Sequence, residues 1–228
     1  MNHFDNILSY TPDLSKRNIL DVGAGKGKFV IEGTKLGYKI TGVEYNIENV
    51  NLAKKTANNL GIDISIIQGE AEHLPFPDKI FDFINFSEVI EHVNSPEETL
   101  REAFRVLNNG GDVYISVPCR YSWYDPHFHL AFVNWLPRNL SDFYISVFSK
   151  HKDYKGESGH QRLSEMHYYT YNDFVYLAKD TGFQIEDIRK LKIKKRFANK
   201  IVRAMVESVY FLIRSWYFRA FHFKLHKI

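Results

Sequence analysis

Apolar and amphipathic segments alternate along the first half of the chain. Short apolar runs predict five strands, at residues 18–22, 38–43, 63–67, 80–86 and 111–117. The segments between them have helical spacing and predict helices at residues 26–36, 47–60 and 96–107, after a lead-in helix within the first 17 residues. Strands that alternate with helices in this way favour a mostly parallel sheet covered on both faces. We therefore expect a doubly wound α/β fold.

The second half departs from this pattern. Residues 118–167 are rich in aromatic residues and histidines, show no clear period, and are too long for an ordinary connection. We interpret them as an insertion after the fifth strand that forms a cap or a substrate element. Residues 172–181 predict a helix, residues 183–192 a sixth strand, and residues 197–216 an amphipathic helix. The prediction is one domain over residues 1–196 and a basic amphipathic C-terminal helix over residues 197–228. Whether a seventh strand is missing or displaced after residue 192 is left open.

Charge is unevenly distributed along the chain. Residues 189–228 contain twelve Lys or Arg residues and one acid, so their net charge is +11, while the preceding part carries −8. One interpretation is that the C-terminal helix lies on an anionic membrane surface; the other is that its apolar face covers the domain or a second subunit. Nucleic acid is not expected as a partner, because no recognised nucleic-acid-binding module accompanies the charge. A single cysteine, Cys119, and an N-terminus without a secretory pattern favour the cytoplasm, with or without peripheral membrane contact.

The first predicted strand ends in the glycine-rich turn DVGAGKG at residues 21–27. Such a turn lets a ligand approach the backbone closely and directs the free N–H groups of the following helix at it. The spacing fits neither the dinucleotide-binding fingerprint nor the P-loop, because Lys28 stands where each of those motifs has a glycine.

The segment ILDVGAGKGKF resembles the first motif of class I S-adenosylmethionine-dependent methyltransferases that act on small molecules. TGVEYN, QGEAEHLPFPDKIFDFI and FSEVIEHVNSPEETLREAFRVLNNGGDVYISVP resemble, in order, later segments of that family. The likeness is strong over residues 18–118 and weak over residues 169–188. It implies a Rossmann-like fold, S-adenosylmethionine as the cofactor, and methyl transfer as the activity.

The same resemblance implies a set of cofactor contacts. Glu44 would accept hydrogen bonds from the ribose hydroxyls, Glu70 would accept from the adenine amino group, and Ser87 and Glu88 would border the sulfonium. Glu70 departs from the pattern, because the family more often has Asp there. The residues implied to bind the cofactor are Asp21, Gly23, Ala24, Gly25, Gly27, Glu44, Tyr45, Glu70, Ala71 and Ser87.

Methyl transfer to a hydroxyl needs a positioned acceptor and a base for its proton. His127 and His129, in the predicted insertion, are the candidate bases, and Asp125 is a candidate orienting carboxylate. The alternative is that these histidines have a structural role only. Glu91 and His92 are expected to cap and brace the next helix. No metal site is predicted, because no spacing fixes the histidines together.

We expect the methyl acceptor to be a glycan, a lipid-linked molecule or another small molecule, and the choice between them is left open. The run DPHFHLAFVNWLPR resembles a segment of bacterial methyltransferases of surface-polysaccharide or lipid-linked glycan synthesis. Trp123 and Tyr124 would stack on such an acceptor or form the small core of the insertion, and we expect Trp135 in that core.

The rival hypothesis is a binding or scaffold protein without catalysis, and the intact glycine turn and Glu44 favour the enzyme. Oligomeric state is left open.

Overall fold

The computed structural model describes Ile7, residues 17–148 and residues 161–228, so the predicted lead-in helix lies outside the described residues except at its Ile7 and Arg17. Five strands pair in parallel: β1 (Asn18–Val22), β2 (Lys39–Glu44), β3 (Ser65–Gln68), β4 (Phe81–Phe86) and β5 (Leu107–Pro118). Two more, β8 (Gln184–Asp187) and β9 (Ala220–His226), complete a sheet in the order β3-β2-β1-β4-β5-β9-β8. The expected doubly wound, mostly parallel sheet is confirmed.

Helices connect and flank the strands. They are α1 (Lys28–Lys35), α2 (Ile47–Asn59), α3 (Pro96–Val106), α4 (Arg138–Phe148), α5 (Tyr171–Asp180), α6 (Ile188–Arg196) and α7 (Lys200–Tyr217). Local chemistry determines where they begin: the Asn46 side chain accepts from the Glu48 N–H at the start of α2, and Ser95 accepts from Glu98 before Pro96 opens α3.

The core has two layers, one on each face of the sheet. One cluster includes Leu20, Ile84, Ile115 and Phe223, and the other includes Ile19, Phe83 and Tyr114. Neighbouring residues of one strand therefore point into different layers, and both are buried. This explains why the strands appear in the sequence as continuous apolar runs rather than as an alternation.

The C-terminal end corrects the prediction. Residues 220–226 are the strand β9, which pairs antiparallel with both β5 and β8, so the seventh strand is present and residues 197–228 are not all helical. Phe221, Phe223 and Leu225 are buried, while the residues between them are only partly covered. Their alternation is a strand signal that the basic charge of the segment obscured. The amphipathic helix predicted over residues 197–216 spans Lys200–Tyr217 in the structure.

The predicted sixth strand was too long. It ends at Asp187, and residues 188–196 form helix α6 instead. The Asp187 side chain accepts hydrogen bonds from the N–H groups of Arg189 and Lys190, which is the geometry of a helix N-cap. Ile188 and Ile193 could be assigned to a strand or to a helix on hydrophobicity alone, and the cap decides in favour of the helix.

The insertion has a small core of its own. It contains the strands β6 (Tyr124–Asp125) and β7 (Leu130–Ala131), a 3-10 turn (Val133–Trp135) and α4. The buried members of the core are Phe128, Val133, Ile145, Leu163 and Met166. Trp135 is not among them: it is 52% exposed and contacts Phe132, so its expected place in this core was wrong.

Candidate active site

The carboxyl ends of four parallel strands meet at one edge of the sheet. Chain connections diverge between β1 and β4, which are neighbours in the sheet, and ligands of doubly wound folds bind at such a switch point. A cleft opens there, lined by Asp21, Gly23, Ala24, Lys28, Phe29, Glu32, Asn85 and Ser87. The glycine-rich turn follows β1, and α1 begins directly after it.

The three glycines of the turn all have positive φ but differ in what surrounds them. A Cβ on Gly23 would lie 2.5 Å from Val89 Cγ2, and one on Gly27 would lie 2.7 Å from Ala53 Cβ. A Cβ on Gly25 would meet nothing within 4 Å. The outer glycines are therefore required by protein packing, whereas the middle one borders open space that a cofactor can occupy. The turn fits the implied cofactor.

A buried polar pair lies at the bottom of the cleft. Asn85 Nδ2 donates to Asp21 Oδ1 at 2.6 Å, and both side chains are almost fully buried. Burial raises the pKa of Asp21 to about 7, against the opposing effect of the Asn85 hydrogen bond, and the Glu44 carboxylate adds to the rise. The sequence analysis did not identify Asn85. Its signal was a polar residue inside the apolar run of β4.

Glu44 ends β2 and supports the turn directly. Its Oε2 accepts from the Gly25 N–H at 2.8 Å, and its Oε1 accepts from the Asn46 N–H at 3.0 Å. The carboxylate is 9% exposed, and its unused lone pairs can still accept hydrogen bonds. The adjacent Tyr45 is 70% exposed. The ribose role of Glu44 remains a prediction, but its position at the turn is observed.

The other implied cofactor residues lie along the same edge. Glu70 follows β3, with an exposed side chain whose carboxylate is 3.8 Å from the His73 ring, and Ala71 packs against the core beside it. Ser87 follows β4, and its hydroxyl donates to Asn85 Oδ1 at 2.8 Å. The structure therefore brings the ends of β1 to β4 together as expected, although the roles of Glu70 and Ala71 stay predictions.

Glu88 adopts a strained backbone at the Ser87 end of the cleft. Its φ is 58°, which is uncommon for a residue other than glycine, and its N–H donates to Ser116 Oγ at 2.8 Å. Desolvation, followed by the neighbouring Glu91 carboxylate, raises the pKa of Glu88. The resemblance implies that the sulfonium lies beside Ser87 and Glu88, and we therefore call this the reactive end of the cleft.

His127 reaches this end of the cleft from the insertion. Its Nε2 lies 3.6 Å from Glu91 Oε1 and 3.9 Å from Glu88 Oε2. Burial lowers the pKa of His127, but the surrounding carboxylates of Glu91, Asp125 and Glu88 outweigh burial, and the pKa is raised overall.

His129, the second candidate base, is placed differently. It is exposed, has a φ of 54°, and its Nδ1 lies 3.1 Å from the Tyr124 hydroxyl. Of the two histidines, His127 is the one whose described contacts reach Glu88.

Asp125 organises the insertion. Its Oδ1 accepts from the backbone N–H groups of His127 and Phe128, and its Oδ2 accepts from Asn134 Nδ2 and the Tyr168 hydroxyl. The Tyr168 hydroxyl in turn lies 2.9 Å from His127 Nδ1. Asp125 therefore contacts the ring of His127 through Tyr168, since its own oxygen is 3.8 Å from Nδ1.

Glu91 and His92 do not cap the next helix, and that expectation was wrong. Ser95 caps α3, and the backbone N–H groups of Asn94 and Ser95 donate to Glu72. Glu91 turns inward and is fully buried, and His92 contacts Gln161 near the end of the insertion. The loop between β4 and α3 thus directs these side chains toward His127 rather than toward the helix.

Fold and cleft resemble those of class I methyltransferases, whose cofactor is S-adenosylmethionine. Residues 20–115 match the family model described as a methyltransferase domain. A ubiquinone/menaquinone biosynthesis C-methyltransferase of Bartonella tribocorum is 28% identical over 191 residues, 79% of this chain and 69% of that protein. A ubiquinone biosynthesis O-methyltransferase of Rickettsia felis is 28% identical over 145 residues, 61% of this chain and 58% of that protein.

Solved structures agree on the fold. An S-adenosylmethionine-dependent methyltransferase of Methanosarcina mazei superimposes with a TM-score of 0.63 at 21% identity, covering 100% of this chain and 99% of that one. The YcgJ protein of Bacillus subtilis gives a TM-score of 0.59 at 22% identity over 81% of this chain and 69% of that one. Together with the family match, these findings identify residues 20–115 as an S-adenosylmethionine-dependent methyltransferase domain.

Proposed function

We propose that this chain methylates a hydroxyl of a glycan, lipid-linked or other small-molecule acceptor that binds between the cleft and the insertion. One observation carries the proposal: the insertion places His127 3.9 Å from Glu88, the residue after Ser87 in the wall of the cofactor cleft. S-adenosylmethionine supplies a methyl group on a sulfonium. The residues of the chain hold the acceptor near it, exclude water and ionise the hydroxyl.

His127 is the candidate for ionising the acceptor. The Tyr168 hydroxyl contacts Nδ1 of its ring and the Asp125 carboxylate accepts from its backbone N–H, while Nε2 lies near Glu88 and Glu91. His129 lies two residues further along the same loop and serves as a matched control, because it is exposed and contacts Tyr124.

Separate His127→Ala and His129→Ala variants test this assignment. We expect both to bind S-adenosylhomocysteine as the wild type does, because neither residue lines the described cleft. Transfer of labelled methyl groups from S-adenosylmethionine should fall by about 10²-fold or more in His127→Ala only. The acceptors to assay are a free sugar, a polyprenyl-linked sugar, a prenylated phenol and fractionated cell extracts.

Two outcomes contradict the proposal. Full transfer by His127→Ala would remove that residue from the reaction. Cofactor binding without transfer to any hydroxyl-bearing fraction would favour the scaffold hypothesis instead. A prenylated phenol is included because the relatives named above carry ubiquinone biosynthesis in their names, and one of them is an O-methyltransferase.

We further propose that helix α7 (Lys200–Tyr217) lies on an anionic membrane surface. Its charged Arg203, Glu207 and Arg214 are partly or fully buried. An apolar stripe on the outside stays exposed in the described structure: Ile201, Met205, Val209, Leu212 and Trp216. The preceding helix α6 carries six Lys or Arg residues among its nine, which complements anionic headgroups. Within the described residues, no helix has the length and apolar character needed to cross a bilayer.

A Leu212→Lys variant tests whether the apolar stripe of α7 binds a membrane. Leu212 is 71% exposed, and Leu60, 59% exposed at the end of α2, provides the matched control Leu60→Lys. We expect the wild type and Leu60→Lys to float with vesicles that contain phosphatidylglycerol but not with pure phosphatidylcholine, and Leu212→Lys to lose flotation. If Leu212→Lys instead converts a dimer to a monomer in gel filtration, and vesicles bind nothing, the stripe contacts a second copy and the membrane proposal is wrong.

A further inference from the structure

A buried carboxylate that accepts no hydrogen bond from the described residues lies beside the reactive end of the cleft. Glu91 is fully buried, and within the described residues neither carboxylate oxygen has a hydrogen-bond partner. His127 Nε2 lies 3.6 Å from Oε1, which is too far for a hydrogen bond. The His127 ring is within ion-pair distance, but burial of a carboxylate that accepts no hydrogen bond is costly, so this position favours a cation in direct contact with the carboxylate.

Two imidazole nitrogens converge on the same oxygen. His92 Nε2 lies 4.0 Å from Glu91 Oε1, and one ligand atom each from Glu91, His92 and His127 all lie within 4.8 Å of one another. Glu88 adds a second carboxylate at the rim, 3.9 Å from His127 Nε2. Donors that share a metal ion at about 2.1 Å are roughly 3.0–3.4 Å apart. Small side-chain movements therefore suffice to close this cluster around an ion.

Outer contacts orient both rings for ligation. The Tyr168 hydroxyl donates to a buried carboxylate at 2.8 Å, so its oxygen accepts from His127 Nδ1 at 2.9 Å. Gln161 Nε2 donates to the His92 carbonyl, so its Oε1 accepts from His92 Nδ1 at 3.0 Å. In each neutral ring the proton is thus on Nδ1, and the lone pair of Nε2 faces the Glu91 carboxylate. Ligating histidines are held in this way in metal sites.

We propose that Glu91, His92 and His127 bind one divalent cation, with Glu88 as a further ligand. Imidazole and carboxylate ligands together suit Zn²⁺, Mn²⁺ or Fe²⁺. Mn²⁺ and Fe²⁺ commonly take six ligands, so these four protein ligands leave coordination positions for the acceptor oxygen, whose pKa the cation lowers. In this arrangement His127 is a ligand of the cation rather than the base, and the proton of the acceptor hydroxyl passes to solvent water as the methyl group is transferred. This last step rests on the proposed function, whereas binding of the cation does not, and the site was not expected from the sequence.

Mn²⁺ binding to the full chain tests the site. The chain is first treated with EDTA and desalted, and Mn²⁺ is then added. The paramagnetic resonance signal of free Mn²⁺ measures how much of the ion remains unbound. We expect one ion per chain. Glu91→Gln and His92→Ala should each weaken binding by at least about tenfold, since loss of ligand-shell contacts in metal sites costs about 10–100-fold. The His92 side chain is 43% exposed, so its variant folds without a buried cavity. His129→Ala should bind as the wild type does.

S-adenosylhomocysteine affinity is measured on every variant to show that the cofactor site is intact. A wild-type chain that binds S-adenosylhomocysteine but no Mn²⁺ overturns the cation site and leaves the proposed methyl transfer standing. The cation site is equally overturned if Mn²⁺ binds but Glu91→Gln and His92→Ala bind it unchanged. A chain that binds Mn²⁺ at these residues and transfers no methyl group supports the site and refutes the proposed function alone.

Discussion

The buried Asp21–Asn85 pair leads to a prediction about pH and stability. The pKa of Asp21 is 3.8 in its ordinary state and about 7 in the folded chain. Between these values the folded chain keeps the proton that the unfolded chain has lost. The free energy of unfolding therefore falls as the pH rises through this window, and the whole penalty is present above pH 7. A shift of this size corresponds to a penalty of at most about 4 kcal/mol.

The Asp21→Asn variant should remove this penalty. Asparagine keeps the shape and still offers an oxygen to Asn85 Nδ2 at the 2.6 Å contact. We expect the variant to gain stability over the wild type as the pH rises, with a gain at pH 8 that exceeds the gain at pH 5 by up to about 3 kcal/mol. Urea unfolding at the two pH values measures the difference. Asp63→Asn, which removes an exposed acid, is the control.

Equal pH dependence of the wild type and Asp21→Asn would refute this reasoning, because the buried carboxylate would then not be the titrating group. The ionisation of Asp21 is also coupled to cofactor binding. S-adenosylmethionine is a cation and favours the ionised form of Asp21, so its binding near pH 6 should release a proton. Calorimetry in two buffers of different ionisation enthalpy detects that release, and Asp21→Asn should abolish it.

Two further predictions concern the turn and the last strand. Gly25 and Gly37 both have positive φ and open space at the Cβ position, so Gly25→Ala and Gly37→Ala should destabilise the chain similarly, by about 1 kcal/mol. Only Gly25→Ala should weaken S-adenosylhomocysteine binding in calorimetry, and equal affinity in both would contradict the placement of the cofactor. Phe223 is fully buried and stacks on Phe174, so Phe223→Ala should cost about 3–5 kcal/mol in urea unfolding, and a cost below about 1 kcal/mol would contradict the central place of β9.

Most of the cofactor edge was predictable because its signals are local. A glycine turn, a strand-end acid such as Glu44 and a capped helix each occupy a few consecutive residues. The parallel order of the strands then brings these positions together at one edge. The same locality explains the errors at β8 and β9: residues 188–192 suit a strand or a helix, and the charge of the last residues hid the alternation of Phe221, Phe223 and Leu225.

The reactive end of the cleft shows the limit of local signals. His127 and Glu91 are 36 positions apart in the chain, and no spacing rule connects them. Their approach depends on how the insertion folds over the loop after β4, and that depends on the small core around Phe128 and on the contacts of Asp125. His129 was an equal candidate until this packing separated the two histidines.

The sequence alone determined the fold class, the cofactor turn and the charge of the C-terminal segment, because hydrophobic period, glycine spacing and composition act over short distances along the chain. Only the tertiary structure decided which histidine lies near Glu88, that Asn85 contacts Asp21, that Glu91 is buried without a hydrogen bond from the described residues, and that residues 220–226 pair with β5 and β8. Each of these depends on contacts between segments far apart in the chain, and burial or pairing across such distances is set by packing rather than by local pattern.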